Sequence, residues 1–267
     1  MHTLSRPRAA LGAAATVLVV GASFLVATAG TAGAAPAQVT TTTTPPTTTT
    51  PATTTTTTPP APPAPPAPVT LHYLPLSGAT LSQGARGGEV FLMQVTLSAR
   101  GFWLSDFPGA FGASTTHALT AFQKYSGLPR SGRLDPLTRF VLGASMEKAV
   151  TKVGKTGRFI EVDLGRQILT ISDNGVVMWV FDISSGKKST PTPRGSYRIT
   201  RQINGQRVSA LGQLWRPKYF TGGYALHGSP SVPNYPASHG CVRMTNQEIN
   251  FLWDSGIAPV GTPVTLF

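Results

Sequence analysis

The stretch ASHGCVRM, from Ala237 to Met244, contains the only cysteine of the 267-residue chain. A single cysteine has no intramolecular disulfide partner, so its thiol is buried and inert, paired with another chain, bound to a metal or reactive. Small or polar residues flank it, with Ser238-His239-Gly240 before it and Arg243 after it, whereas a buried inert cysteine has apolar neighbours. The stretch therefore favours a reactive thiol at Cys241.

A reactive thiol of this kind needs a base, since the thiolate is the nucleophile and histidine titrates in the right range. Three of the five histidines, His2, His72 and His117, lie far from the cysteine in the chain. His227 follows an apolar run and precedes a glycine, as expected at a strand edge, while His239 is constrained by the same turn as the thiol. We predict that His227 is the base and that His239 has a supporting part.

The turn before the cysteine offers a second element of catalysis. Gly240 permits a tight backbone turn in which the amides of Gly240 and Cys241 point the same way. Two such amides can form an oxyanion hole.

The segment around this stretch, Arg158 to Phe267, is predicted to be mostly β. Apolar and polar residues alternate from Arg158 to Ile183 around Asn174-Gly175, a dipeptide that favours a hairpin. Strand-like runs follow at Ser196–Gln202, Tyr224–His227 and Pro263–Phe267, and we expect a loop over the site at Leu214–Gly223. One late helix begins at a capping box, Thr245-Asn246-Gln247-Glu248, and is closed by Gly256.

Upstream, Leu81 to Gly143 has apolar residues at helical spacing and predicts three short helices. The third would run from Pro136 to Leu142 behind Asp135 as N-cap. The faces of the first two are Val90, Met93 and Leu97, and Ala118, Leu119 and Phe122.

The N-terminal third cannot build a core. Residues 1–34 carry Arg6 and Arg8 before an apolar run that ends in Ala32-Gly33-Ala34, which indicates an export signal or, if uncleaved, a membrane anchor. Residues 35–70 are mainly Thr, Pro and Ala, the composition of an extended, disordered linker. The formal net charge of +12 fits contact with anionic wall polymers, and no DNA-binding pattern is present.

Two segments resemble known families. The stretch ALHGSPSVPNYPASHGCVRM and the upstream TPTPRGSYRI, Thr190 to Ile199, resemble the signature of the L,D-transpeptidase catalytic domain. Residues from Leu81 to Gly143 resemble the three-helix peptidoglycan-binding module at Gly87, Gln94, Gly101, Thr116, Phe122, Gln123, Gly127, Leu128, Gly132 and Thr138.

This resemblance implies the fold, a mainly β catalytic domain (an L,D-transpeptidase-like β-sandwich with one late helix) at 156–267, preceded by a small all-α three-helix module at 80–145. It also implies that Cys241 is the nucleophile and His227 its base, oriented by the main-chain carbonyl of Gly228. Residues matching the turn and oxyanion site are Ser238, His239 and Gly240, and Arg243 would hold a substrate carboxylate. Tyr219 and Tyr224 are candidate groove residues.

The activity that the resemblance implies is acyl transfer on peptidoglycan. Cys241 would attack the carbonyl between the third stem residue and the terminal D-alanine, and a neighbouring stem amine would complete a 3→3 cross-link. We expect a secreted, monomeric cell-wall protein that acts in wall organisation and cell shape, with stem peptides and glycan as partners, no cofactor, no metal and no nucleic acid.

The sequence leaves three alternatives for the function open. Water as acceptor would make the protein an L,D-carboxypeptidase. His227, His239 and Cys241 could instead be three zinc ligands, although their spacing is unlike common zinc patterns. Both segments could also bind the wall without catalysis.

Overall fold

The computed structural model describes residues 74–144, 147–152, 156–209 and 211–267. The predicted export signal and the whole of the predicted linker lie outside these ranges. Within them, no helix is both long and apolar enough to cross a bilayer.

Three helices form the N-terminal part of the described chain, as predicted. They are α1 (Gly88–Ala99), α2 (Ala113–Ser126) and α3 (Pro136–Ala144). Asp135 caps α3, since its Oδ1 accepts a hydrogen bond from the Thr138 amide at 2.8 Å. The predicted apolar faces are buried at Val90, Met93, Leu97, Ala118, Leu119 and Phe122.

Ten strands and one helix follow. The strands are β1 (Arg158–Asp163), β2 (Ile168–Asp173), β3 (Val176–Asp182), β4 (Gly195–Arg198), β5 (Arg201–Gln202), β6 (Gln206–Ser209), β7 (Gly212–Thr221), β8 (Tyr224–Ser229), β9 (Val242–Thr245) and β10 (Pro263–Leu266), and the helix is α4 (Asn246–Asp254). One sheet has the order β3-β2-β1-β10-β4, and the other has the order β5-β7-β8-β9 with β6 paired to β7. One core cluster contains residues of both sheets and of α4.

The local signals in the sequence predicted this region well. Asn174 and Gly175 have φ angles of 49° and 80°, as a two-residue hairpin turn between β2 and β3 requires. The capping box of α4 is formed, with the Thr245 amide donating to Glu248 at 2.8 Å and the Glu248 amide donating to Thr245 at 3.1 Å.

Two predictions about strands were wrong. Ser196–Gln202 is not one strand, because the chain leaves the first sheet after Arg198 and joins the second at Arg201. Leu214–Gly223 is mostly strand rather than loop, since β7 pairs with β5, β6 and β8. A register shift at Arg216, where φ is 47°, hides the period-two pattern of β7.

The helices pack against the β region within one compact unit. Lys124 of α2 is fully buried and forms an ion pair with Asp182 of β3. The Lys124 ammonium also donates to the Ile183 carbonyl at 2.9 Å, and His117 Nδ1 lies 2.7 Å from the other Asp182 oxygen. These buried polar contacts hold α2 against the sheet that carries β3.

Candidate active site

The pairing of β8 with β9 brings the predicted nucleophile and base together. The two strands are parallel, with His227 level with Arg243 and Leu226 level with Val242. Cys241 immediately precedes β9 and is therefore level with Ala225. Side chains alternate between the two faces of a sheet, so Cys241, His227 and Arg243 lie on the same face.

The His227 ring is oriented by the carbonyl that the sequence predicted. Nδ1 lies 2.9 Å from the Gly228 oxygen, and the side chain is buried, with 5% of the residue exposed. A carbonyl can only accept a hydrogen bond, so Nδ1 carries the proton and Nε2 keeps its lone pair. The pKa of His227 is lowered to about 4, chiefly by burial and to a smaller extent by Arg243, against the opposing effect of the Gly228 contact. The ring is thus a neutral acceptor at neutral pH.

The thiol is neutral as well. Burial raises the pKa of Cys241, while the Ala225 main chain and Arg243 lower it to a smaller extent. Its Sγ lies 3.8 Å from the Gly223 oxygen. The sequence suggested a thiolate made by the imidazole, whereas in the folded protein burial disfavours both charges, and the resting pair is thiol and imidazole.

The turn that carries the thiol is closed by Ser238. Its Oγ donates to the Cys241 carbonyl at 2.5 Å and accepts from the Gly240 amide at 3.0 Å. The Gly240 amide is therefore engaged, which corrects the expectation that it faces the substrate together with the Cys241 amide. Gly240 has φ of 117°, and a Cβ there would lie 2.4 Å from the Tyr224 ring, so only glycine fits.

Two threonines of the upstream motif support the same turn. Thr192 Oγ1 donates to the Gly240 carbonyl at 2.7 Å and accepts from the Gly186 amide at 2.8 Å. Thr190 Oγ1 donates to the Ser238 carbonyl at 3.1 Å. Sequence reasoning assigned them no role, although both lie in the quoted motif TPTPRGSYRI.

A cavity of about 450 Å³ opens above the thiol. Tyr219 lines it, as predicted for a groove residue, and the exposed His239 lies at its edge. Tyr224 and Gly228 do not line it: Tyr224 packs under Gly240, and Gly228 packs against Ile249 of α4. The lining residues are Arg201, Arg207, Ser209, Leu211, Gly212, Gln213, Leu214, Tyr219, Gly223, His227, Ser229, Ser238, His239, Cys241 and Arg243.

The charge of this cavity is positive. Its lining includes three arginines and no aspartate or glutamate. Arg243 was predicted from the sequence, whereas Arg201 and Arg207 were missed because strand pairing, and no local motif, brings them to the site. A cavity of this charge suits an anionic substrate.

The zinc alternative finds no support in the described residues. No three His, Cys, Asp or Glu side chains among them are grouped so as to hold a metal ion. His227, His239 and Cys241 therefore do not form the three-ligand set that this alternative requires.

Comparison with known proteins finds two family matches in this chain. Residues 157–266 match the L,D-transpeptidase catalytic domain family, and residues 86–142 match a peptidoglycan binding domain family. A crystal structure of an L,D-transpeptidase from Xylanimonas cellulosilytica is 39% identical, has a TM-score of 0.67 and aligns over 76% of this chain and 100% of the crystallised one.

Two curated relatives match a shorter part of the chain. A protein named L,D-transpeptidase YkuD from Bacillus subtilis is 36% identical over 111 residues, and its counterpart from Bacillus licheniformis is 32% identical over 110 residues. Each alignment covers 40% of this chain and 64% of the relative.

Proposed function

The chain belongs to the L,D-transpeptidase family, and we propose that it is an exported cell-wall enzyme that cross-links peptidoglycan stem peptides 3→3 through an acyl-enzyme on Cys241. The observation that carries the proposal is the placement of His227 and Cys241 on one sheet face, with His227 Nδ1 held by the Gly228 carbonyl at 2.9 Å. This arrangement leaves Nε2 free to take the thiol proton.

In the first half-reaction, Cys241 Sγ attacks the carbonyl that joins the third stem residue to the terminal D-alanine. The thiol proton passes to His227 Nε2 as the C–S bond forms. The resulting tetrahedral adduct collapses with cleavage of the C–N bond, and the D-alanine amine leaves with that proton. A thioester on Cys241 and free D-alanine are the products.

In the second half-reaction, the side-chain amine of a neighbouring stem attacks the thioester. His227 accepts the amine proton and returns it to the departing sulfur, so the thiol is regenerated and the 3→3 amide is formed. Water in place of the amine would release a tripeptide, which is L,D-carboxypeptidase activity, and product analysis separates the two outcomes.

The neutral resting state of Cys241 and His227 affects the stage of the reaction at which charge develops. Because burial disfavours both the thiolate and the imidazolium, charge separation is most favourable when substrate is bound and the attack is under way. Arg243, which pairs with His227 in the strand register, would hold a substrate carboxylate. Ser238, His239 and Gly240 shape the turn that presents Sγ to the cavity.

The helical module, the export signal and the linker would determine where the catalytic domain acts. The helical module would bind peptidoglycan, and its buried Lys124–Asp182 pair would hold it in a set position on the catalytic domain. The export signal at 1–34 and the linker at 35–70 would deliver this unit to the wall and space it from the membrane.

Incubation of the purified protein with defined tetrapeptide muropeptides, followed by chromatographic separation, tests the proposal. We expect 3→3 dimers and free D-alanine from the wild-type protein and none from Cys241→Ala. Tripeptide as the sole product would replace transpeptidase by carboxypeptidase activity, and unchanged substrate would contradict both.

A further inference from the structure

The cavity carries more positive charge than attack on one peptide bond requires. Arg243 accounts for one carboxylate next to the reacting carbonyl, but Arg201 and Arg207 also line the cavity. Neither of these two forms an ion pair with a described acidic residue, and the cavity lining contains no carboxylate. Their charges are therefore available to a ligand.

Arg201 belongs to a row of residues that crosses the sheet to the thiol. It is paired with Tyr219, Tyr219 is paired with Ala225, and Ala225 is level with Cys241. The Arg201 guanidinium lies over the Tyr219 ring, 4.0 Å from its centroid. Stacking uses the face of the guanidinium and leaves its N–H edge free for a carboxylate.

Arg207 approaches from the β6–β7 hairpin. It pairs with Leu214, and the period of two places Arg207, Ser209 and Leu214 on one face of the hairpin, the face that lines the cavity. One Arg207 nitrogen donates to the Val208 carbonyl at 2.5 Å. A guanidinium has five N–H donors, so most of its capacity remains unused.

Arg201 lies far from the position of the leaving group. Neighbouring strands are about 4.8 Å apart, so the Cα of Arg201 is about 14 Å from that of Cys241, three strand spacings away. The carboxylate of the leaving D-alanine lies only about one residue, roughly 3.5 Å, from the attacked carbonyl. Arg201 is therefore better placed for carboxylates carried by the part of the donor stem on the other side of the scissile bond, and Arg207 lines the same cavity.

We propose that Arg201, stacked on Tyr219, and Arg207 of the β6–β7 hairpin recognise free carboxylates of the donor stem peptide, so that the enzyme discriminates against stems whose side-chain or α-carboxylates are amidated. The inference rests on the proposed function and adds a specificity site to it. A bidentate arginine–carboxylate contact is charge-assisted, whereas a carboxamide loses both the charge and one acceptor.

The test compares two donor tetrapeptides that differ only in amidation of these upstream carboxylates, with the terminal D-alanine carboxylate free in both. D-alanine release is measured with the wild-type protein, Arg201→Gln, Arg207→Gln and the control Arg198→Gln. Arg198 is exposed on β4 in the other sheet and contacts the Gly261 carbonyl at 2.8 Å, outside the cavity. Thermal melting of each variant verifies that it is folded.

We expect the wild-type protein and Arg198→Gln to prefer the free-carboxylate donor by about tenfold or more in kcat/KM. Each cavity variant should lower kcat/KM for that donor while leaving the amidated donor nearly unchanged, so the preference shrinks. Equal kcat/KM for both donors with the wild-type protein, or a preference that survives both substitutions, overturns this inference alone. Turnover of neither donor would instead contradict the proposed function.

Discussion

Replacement of His227 by glutamine should remove one contribution to the pH dependence of folding stability. The folded protein holds the pKa of His227 at about 4, against 6.5 for an exposed histidine. Below pH 6.5 the unfolded chain takes up a proton at this residue, whereas the folded chain does not until pH approaches 4. The stabilisation is complete above 6.5 and is lost as pH falls, by about 2 kcal/mol between about pH 7.5 and about pH 5.

Urea-induced unfolding at these two pH values measures the effect. On going from about pH 7.5 to about pH 5, the unfolding free energy of His227→Gln should change by about 2 kcal/mol in the stabilising direction relative to the wild-type protein. Glu248, whose pKa burial raises to about 7, contributes with the opposite sign but is present in both proteins and cancels. The exposed His239→Gln is the control and should keep the wild-type dependence. Identical dependence in His227→Gln would refute a buried, neutral imidazole.

Other substitutions test the turn and the packing of the helices. Gly240→Ala places a Cβ 2.4 Å from the Tyr224 ring at a φ of 117°. Thermal melting should show that the folded state loses about 1–3 kcal/mol of stability, and D-alanine release should fall sharply. A wild-type melting temperature with full turnover would contradict this. Thr192→Val removes the hydrogen bond to the Gly240 carbonyl while keeping the side-chain shape. It should lower kcat about tenfold, with Cys241→Ala as the inactive reference. An unchanged kcat would show that Thr192 does not position the turn. Asp182→Asn leaves the Lys124 charge buried without its counterion. Urea unfolding should show that the unfolding free energy falls by about 3–5 kcal/mol, and adding Lys124→Met should restore most of it. A fall below about 1 kcal/mol would show that the pair does not hold α2 in place.

Features that depend on neighbours in sequence could be predicted, and features that depend on distant pairing could not. The Asn174-Gly175 turn, the Asp135 cap and the Thr245–Glu248 capping box are local signals, and all are present. The course of β7 was missed because its register shift breaks the alternation on which a strand prediction depends.

The same distinction holds at the site. Cys241 and His227 could be nominated from two short motifs, and the strand register places both on one face. The contact from Thr192 to Gly240 spans 48 residues, and Arg201 reaches the cavity through pairing across β5, β7 and β8, so no local pattern marked either. The neutral state of the pair follows from burial, which the sequence around Cys241 does not report.

Mass spectrometry of the acid-quenched protein during turnover of a tetrapeptide donor tests whether Cys241 carries the acyl-enzyme. We expect an adduct on Cys241 with the mass of the donor minus D-alanine, absent from Cys241→Ala and accumulating when acceptor amine is withheld. Continued release of D-alanine by Cys241→Ala, or turnover by the wild-type protein with no adduct at this residue, would contradict it.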